Sequence, residues 1–283
     1  MSFAVTGATG ALGRLAVTAL LERGVAPAEV VALVRTPARA ADLAALGVQV
    51  RPFDYDAPQT LVPALAGVHR LLLISGNAVG QRVAQHTAVI EAARTAGVGH
   101  LTYTSILAAD TTANPLAPEH LATEQALAAS GLAYTLLRNG WYAENYTARV
   151  AEYVASGTIP HSTGGAALSL ASRADFAGAA AGALLLDAPA VRYDLGGPAV
   201  TFEGLAAAVT AATGTTVVAL PLSGADHVAA LVAAGLDEGT AAFVAGIDAA
   251  IAAGDLLTDP APLEALLGRP ATPLATSLAA ALA

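Results

Sequence analysis

The chain has 283 residues, of which 55% are apolar and 12% charged, and its 13 basic and 22 acidic residues give a net charge of −9. This sign argues against a nucleic-acid partner, because a nucleic-acid-binding surface needs a basic face. The chain contains neither cysteine nor lysine, which excludes disulfides, thiolate nucleophiles, Schiff-base chemistry and any catalytic pair of tyrosine and lysine.

Short apolar runs alternate with alanine-rich stretches through the first half of the chain. The runs are apolar throughout, as strands buried on both faces of a sheet are, and alanine has the highest helix propensity. Six strands with intervening helices predict an α/β fold with a doubly wound parallel sheet. The predicted strands are Phe3–Thr6, Val30–Val34, Val48–Phe53, Arg70–Ile74, Leu101–Thr104 and Tyr134–Leu137, and the predicted helices cover about 11–23, 37–46, 58–66, 80–96 and 117–130.

The pattern changes after residue 155. Residues 156–170 are rich in glycine, serine and threonine, which predicts a loop with at most a short strand. A helix from about Ser172, a short strand at Arg192–Leu195 and several alanine-rich helices follow. We therefore predict two domains, a large α/β domain over 1–155 and a smaller, mostly helical C-terminal lobe over 156–283.

Nothing in the chain predicts a membrane span. The clearest apolar run, from Phe176 to Leu186, is too short, because a helix needs about 20 apolar residues to cross a bilayer. No basic segment precedes an apolar stretch at the start of the chain, where a strand begins almost at once. We therefore expect a cytoplasmic protein.

Three glycines, Gly7, Gly10 and Gly13, follow the first predicted strand and lead into the first predicted helix. In a dinucleotide-binding turn the first glycine permits a tight turn, the second lets the backbone approach phosphate, and the third lets the helix pack on the sheet. The helix N-terminus then presents free N–H groups to a pyrophosphate. The spacing predicts such a turn, and a glycine-rich turn without a ligand is the alternative.

Arg35 stands at the C-terminal end of the second predicted strand. In NAD-specific sheets an acidic residue at this place binds the ribose 2′-hydroxyl, whereas an arginine suits a 2′-phosphate. Together with the glycine turn, Arg35 predicts NADPH as the cofactor in preference to NADH. A solvated arginine at a strand end is the alternative.

We expect no metal ion. The six histidines show no His-x-x-x-His or His-x-x-Glu-His pairing. Asp54 with Asp56, and Asp255 with Asp259, are close only in sequence, and solvated turns explain these pairs better.

Five segments of the chain carry a family resemblance: TGATGALG (6–13), ALVRTPARA (32–40), LLLISGNAVGQR (71–82), AARTAGVGHLTYTSIL (92–107) and YTLLRNGWYAENY (134–146). They resemble the NmrA-like, atypical branch of the short-chain dehydrogenase superfamily, and within it the NAD(P)H:quinone oxidoreductase type 2 group. The segments RNGWYAEN and VGQR are specific to that group. The resemblance extends over essentially the whole chain, including SRADFAGAAA (172–181).

The resemblance implies that residues 1–155 form an NADP-binding Rossmann domain, that 156–283 form a substrate lobe, and that the protein is an oxidoreductase transferring a hydride from NADPH to a small-molecule quinone. The glycine turn would bind the pyrophosphate, Arg35 the 2′-phosphate, and the segments after the fourth and sixth strands the nicotinamide half. The implied cofactor-binding residues are Gly7, Ala8, Thr9, Gly10, Ala11, Leu12, Gly13, Arg35, Ser75, Gly76, Asn77, Asn139, Gly140, Trp141, Tyr142, Ala143, Glu144 and Arg173. Asp54 and Tyr55 would lie near adenine, although a simple polar turn explains them equally well.

The absence of lysine bears on the chemistry. Typical short-chain dehydrogenases use a tyrosine and a lysine to protonate an alkoxide, which is about as basic as hydroxide, whose parent water has a pKa near 15.7. A hydroquinone is a phenol, and phenols titrate near 10. Hydride transfer to a quinone can therefore rest mainly on positioning and on the exclusion of water.

Three residues are predicted to assist catalysis. Tyr142 and Asn145 follow the sixth strand, at the sheet edge where ligands bind, and we expect them to donate hydrogen bonds to the quinone. His120 aligns with the lysine of isoflavone-reductase-like enzymes and is a candidate proton source, with a surface helix residue as the alternative. Ser105 occupies the place of the superfamily serine, and Trp141 is expected to be a packing wall.

Two functions of different class remain open. The first is an NADPH-dependent quinone reductase, and the second is an NmrA-like regulator that binds NADP and senses redox state without turnover. A sugar-nucleotide epimerase is disfavoured, because that chemistry relies on the missing Tyr/Lys pair. The oligomeric state is open between a monomer and a homodimer.

Overall fold

The computed structural model describes all 283 residues and contains a seven-stranded parallel sheet in the order β10-β6-β5-β4-β1-β2-β3. A three-stranded sheet, β11-β9-β7, and a two-stranded sheet, β12-β8, accompany it. The strands are β1 (Phe3–Thr6), β2 (Val30–Val34), β3 (Gln49–Pro52), β4 (Arg70–Leu73), β5 (His100–Ile106), β6 (Tyr134–Asn139), β7 (Trp141–Tyr142), β8 (Thr158–His161), β9 (Leu168–Ala171), β10 (Arg192–Leu195), β11 (Ala199–Val200) and β12 (Val218–Pro221).

Helices cover both faces of the large sheet, so the predicted doubly wound α/β class is confirmed. The helices are α1 (Ala11–Glu22), α2 (Ala41–Ala45), α3 (Leu61–Ala64), α4 (Arg82–Ala96), α5 (Ala117–Ala129), α6 (Glu144–Thr147), α7 (Val150–Ser156), α8 (Arg173–Leu185), α9 (Phe202–Thr213), α10 (Gly224–Ala233), α11 (Glu238–Ala252), α12 (Ala261–Leu267) and α13 (Leu274–Leu282). Short 3₁₀ turns precede β2, α2 and α3. None of the helices has the length and apolar character needed to cross a membrane.

The six predicted strands of the first half are all present, and the differences from the prediction lie further along the chain. Residues 156–170, predicted to be mainly a loop, contain β8 and the start of β9. β8 pairs with β12, and β9 pairs with β7 and β11. Because these partners are distant in sequence, no local pattern reveals the pairing. The strand predicted at Arg192–Leu195 pairs in parallel with β6 and becomes the seventh strand of the large sheet.

α8 belongs to the packing of the large sheet although it follows residue 155. Its small residues let it lie closely against α1, and Ala177, Ala181 and Leu184 are buried with α1 residues in one apolar cluster. Arg23, at the end of α1, donates hydrogen bonds to the carbonyl oxygens of Gly178 at 3.1 Å and Leu266 at 2.7 Å. The division at residue 155 stays a prediction, and α8 and β10 tie the later part of the chain to the sheet.

A buried ion pair links β6 to α5. The Arg138 guanidinium donates to both carboxylate oxygens of Glu124, at 2.9 and 2.6 Å, and to Asp110 at 2.7 Å. The Ser105 hydroxyl, from β5, also donates to Glu124 at 2.6 Å. Arg138 and Glu124 are each only 6% exposed at the side chain, so loss of one partner leaves a charge with too little solvent to replace it.

We expect Glu124→Ala to lower the free energy of unfolding by about 3–5 kcal/mol, because it removes the buried carboxylate and leaves the Arg138 charge with only the half-exposed Asp110 as a partner. Urea denaturation measures this change. Glu91→Ala is the matched control, since Glu91 pairs with Arg94 on the exposed face of α4 and should cost about 0–1 kcal/mol. Equal losses in the two variants would contradict the role given to the buried pair.

Candidate functional site

A cavity of about 530 Å³ lies at the carboxyl edge of the large sheet, over the ends of β1, β2, β3 and β4. It contains the glycine turn, the end of β2 and the segment after β4. Ten residues predicted to bind the cofactor line it: Gly7, Thr9, Gly10, Ala11, Leu12, Gly13, Arg35, Ser75, Gly76 and Asn77. Ala8 is fully buried beneath the turn and does not line the cavity. The contacts of these ten residues with a cofactor stay predictions.

The glycine turn has the geometry that an anion-binding turn requires. Gly7 has φ +57°, a conformation that favours glycine. A Cβ on Gly13 would overlap the carbonyl oxygen of Gly7, so only glycine lets α1 begin this close to β1. Gly10 is the N-cap of α1 and no side chain caps the helix. The first N–H groups of α1 are therefore free to bind phosphate oxygens at the cavity.

Arg35 and Arg39 line the same cavity and are the only arginines whose guanidinium groups make no hydrogen bond or ion pair. Both are exposed. The nearby carboxylate of Asp42 is paired with Arg14, which also donates to the carbonyl oxygen of Arg39 at 3.1 Å. Two guanidinium groups with no partner, in a protein of charge −9, fit a phosphate group.

The wall of the cavity beside β3 contains four polar residues, two of which were not predicted from the sequence to lie there. Asp54 and Tyr55 line the cavity, and burial raises the pKa of Tyr55 to about 12. Asp56 and Gln85 line it as well and were missed. The Gln85 amide nitrogen donates to Asp56 Oδ1 at 2.9 Å, so the segment after β3 contacts α4 at the cavity wall. The one sequence signal for these two cavity residues was the location of Asp56 just beyond the end of a predicted strand.

The segment after β6 does not line this cavity. Gly140 is packed between strands, with its N–H donating to the carbonyl oxygen of Leu195 at 2.6 Å. Trp141 is half-buried against the apolar core of the C-terminal half, and Ala143 is buried. The Oδ1 atom of Asn139 is buried without a hydrogen-bond partner, so one acceptor at the end of β6 is unsatisfied.

Four of the predicted residues form one cluster beyond β6. The Arg173 guanidinium lies over the Tyr142 ring, with Cζ 5.3 Å from its centroid, and donates to Asn145 Oδ1 at 3.4 Å. Both carboxylate oxygens of Glu144 accept the Arg173 backbone N–H, at 2.9 and 3.0 Å. Burial raises the pKa of Tyr142, so its hydroxyl keeps the proton and can donate a hydrogen bond.

His120 is buried, so the surface position considered for it is wrong. Its Nδ1 lies 2.8 Å from the Tyr103 hydroxyl, and the residue does not line the cavity. Burial, together with the positive charge of Arg82, lowers the pKa of His120 to about 3. The ring is therefore neutral near pH 7, and its role as a proton source stays a prediction. Across the chain, no three histidine, aspartate or glutamate side chains are grouped to hold a metal ion.

The chain is similar to known proteins over most of its length. Residues 7–186 match the NAD(P)H-binding family. The chain is 44% identical over 277 residues to Quinone oxidoreductase 2 of Escherichia coli, covering 97% of this chain and 96% of that protein.

Solved structures give the same result. The NADPH-dependent quinone oxidoreductase of Escherichia coli in complex with NADPH superposes with a TM-score of 0.95 at 43% identity, over 99% of this chain and 100% of the other. The triphenylmethane reductase of Citrobacter sp. matches with a TM-score of 0.92 at 36% identity, over 100% of this chain and 99% of the other. The chain therefore belongs to the NAD(P)H-binding family, in the NmrA-like branch of the short-chain dehydrogenase superfamily that its motifs indicated.

Proposed function

We propose that the protein is an NADPH-dependent oxidoreductase that catalyses the two-electron reduction of small-molecule quinones to hydroquinones. One observation carries the proposal. The chain matches an NADPH-bound quinone oxidoreductase over 99% of its length, and its only two arginines with unpaired guanidinium groups line the same cavity as the glycine turn. Arg35 and Arg39 account for NADPH as the cofactor, and the near-full-length similarity supports a quinone as the acceptor.

The cofactor-binding residues act by fixing one end of the dinucleotide. The free N–H groups of α1 bind the pyrophosphate, and Arg35 with Arg39 holds the 2′-phosphate. Ser75, Gly76 and Asn77 form the wall on the side of β4. The reaction consumes NADPH, a quinone and one proton and yields NADP⁺ and a hydroquinone, with NADPH supplying the hydride when bound.

The chain's own groups need to supply little acid for this reaction. Because a hydroquinone is a phenol with a pKa near 10, its anion can leave as such or take a proton from water. Tyr142 and Asn145 orient the quinone by hydrogen bonds, and Arg173 lies close enough to both to favour negative charge there. Trp141 packs against the apolar core of the C-terminal half, and Ala143 is buried.

Residues 1–155 form the cofactor domain and 156–283 the lobe that contributes to the substrate site, although α8 and β10 pack on the large sheet. We place the enzyme in the cytoplasm, as a monomer or a homodimer, with a small-molecule quinone as its partner.

A redox-sensing regulator is the alternative, and a turnover assay separates the two. The purified protein is mixed with NADPH and 1,4-benzoquinone, and the loss of NADPH absorbance is followed against a blank without protein. Sustained oxidation over many turnovers is expected. NADPH binding in a titration, without turnover for any of several quinones, would support the regulator.

Removal of Arg35 should weaken NADPH selectively. A charge-assisted hydrogen bond contributes about 1.5–3 kcal/mol, so we expect Arg35→Ala to raise the NADPH dissociation constant about 10- to 150-fold. NADH, which lacks the 2′-phosphate, should bind almost as before. Isothermal titration calorimetry measures both.

Arg39 and Arg94 provide the comparison for this variant. Arg39→Ala should show the same selectivity on a smaller scale, because both guanidinium groups line the cavity. Arg94→Ala removes the same charge from an exposed pair on α4 and should leave both affinities unchanged. Equal losses for NADPH and NADH in Arg35→Ala would show that Arg35 does not read the 2′-phosphate.

The neutral state of His120 predicts how the rate depends on pH. Because burial lowers its pKa to about 3, the ring is neutral near pH 7, and His120 should contribute no ionisation step to kcat near pH 6.5. His120→Gln should reduce kcat less than tenfold. A loss of about 10²–10⁴-fold, the usual effect of removing a general acid, would instead make His120 the proton donor.

A further inference from the structure

The segment 75–81, between β4 and α4, forms a large part of the cavity wall, and five of its residues and Gln85 beyond it line the cavity. Side chains from behind the wall hold its backbone. The Gly76 N–H donates to His86 Nε2 at 3.0 Å, and the Gly76 carbonyl oxygen accepts from Arg82 Nε at 2.7 Å. The Gly80 N–H donates to Glu119 Oε1 at 2.9 Å. None of these three side chains lines the cavity.

The hydrogen bonds define the state of the His86 ring. A backbone N–H can only donate, so Nε2 must accept from Gly76 and carry no proton. Nδ1 then carries the ring proton and donates to Thr123 Oγ1 at 3.0 Å, while the Thr123 hydroxyl donates to the Glu119 carbonyl oxygen at 2.9 Å. Burial and the charge of Arg82 lower the pKa of His86 to about 3, which keeps the ring in this accepting form.

Two helices bring these groups together by their own periodicity. Arg82 and His86 are four residues apart on α4, and Glu119 and Thr123 are four residues apart on α5, so each pair shares one helix face. Arg82 Nη1 lies 3.4 Å from Glu119 Oε2 and closes the network. Arg82, His86 and Thr123 are all buried. Burial of a guanidinium costs free energy unless the group is paired and hydrogen-bonded.

We propose that Arg82, His86 and Glu119 are positioning residues that hold segment 75–81 in the shape that accepts the dinucleotide. This inference rests on the proposed function, because it concerns the same cavity. It gives a physical role to the segment VGQR, in which Gly80 and Arg82 both belong to the network. Without the network, the wall loses the acceptors of two backbone N–H groups and relaxes away from the cavity.

Substitution of His86 tests the proposal through NADPH affinity, measured by titration calorimetry in the absence of quinone. His86→Leu leaves the Gly76 N–H without an acceptor, so segment 75–81 relaxes in the free protein. NADPH must then return the segment to its binding shape, and the dissociation constant should rise about 5- to 150-fold. His86→Gln offers an amide oxygen to the same N–H and should recover most of the affinity. At saturating NADPH, kcat should change little, because the wall contributes to binding in the ground and transition states alike.

His100→Leu is the matched control. Like the Nδ1 atom of His86, a ring nitrogen of His100 bonds a threonine hydroxyl, from Nε2 to Thr135 Oγ1 at 3.0 Å. His100 lies at the amino end of β5, however, at the opposite edge of the sheet from the cavity. This variant should lose thermal stability and keep wild-type NADPH affinity. If His86→Leu loses stability in the same way and still binds NADPH like the wild type, the three residues are merely structural and the proposal is wrong.

Glu119→Leu provides a second test at a partly exposed position, and it stands in if His86→Leu does not fold. It removes the acceptor of the Gly80 N–H and should raise the NADPH dissociation constant about 2- to 10-fold, the effect of one ordinary hydrogen bond. Glu119→Gln, which retains an acceptor oxygen, should bind more tightly than Glu119→Leu, and equal affinities would overturn the role of Glu119. Failure of the wild type to bind NADPH would instead overturn the proposed function itself.

Discussion

The close contact between Gly13 and the carbonyl group of Gly7 determines how α1 packs on β1, and the cavity and the packing of α8 both depend on it. It requires the absence of a side chain on Gly13 and a positive φ at Gly7, and it brings α1 directly onto β1. The free N–H groups of α1 therefore point at the cavity. The other face of α1 receives α8, and Arg23 at its end binds carbonyl groups of α8 and α12. One close approach thus aligns the cofactor cavity and joins the late part of the chain to the early part.

All 13 basic residues of the chain are arginines, and the distribution of their partners determines the positive charge at the cavity. Eleven arginines are occupied by carboxylates or carbonyl oxygens, where a planar guanidinium bonds several oxygens at once. Arg35 and Arg39 alone are free, both at the same cavity. In a chain of net charge −9, this local pair offsets a field that otherwise repels a phosphorylated cofactor. In the proposed function, specificity for the 2′-phosphate thus depends on the two arginines that have no other partner.

The sequence was most informative where neighbouring residues determine structure. The strands β1 to β6, the glycine turn and the location of Arg35 follow from local pattern and strand-end rules. β8, β9 and the seventh strand β10 depend on partners far along the chain, which no local pattern specifies. The network of His86 and Glu119 escaped notice for the same reason, because it joins two helices through backbone groups of a third segment. The burial of His120 was missed because an amphipathic pattern is weak on α5.

The pairing of β10 with β6 has a consequence for how the protein is made. β10 lies more than fifty residues beyond β6 in the chain, so during translation the six earlier strands emerge from the ribosome while the outer side of β6 still lacks its neighbour. That side presents unpaired N–H and C=O groups, including those of Leu136 and Gly140 that later bond Val191 and Leu195. An open strand edge of this kind is prone to join other chains. The nascent protein therefore passes through an interval of vulnerability to aggregation, which ends only when residues 192–195 arrive to cover the edge.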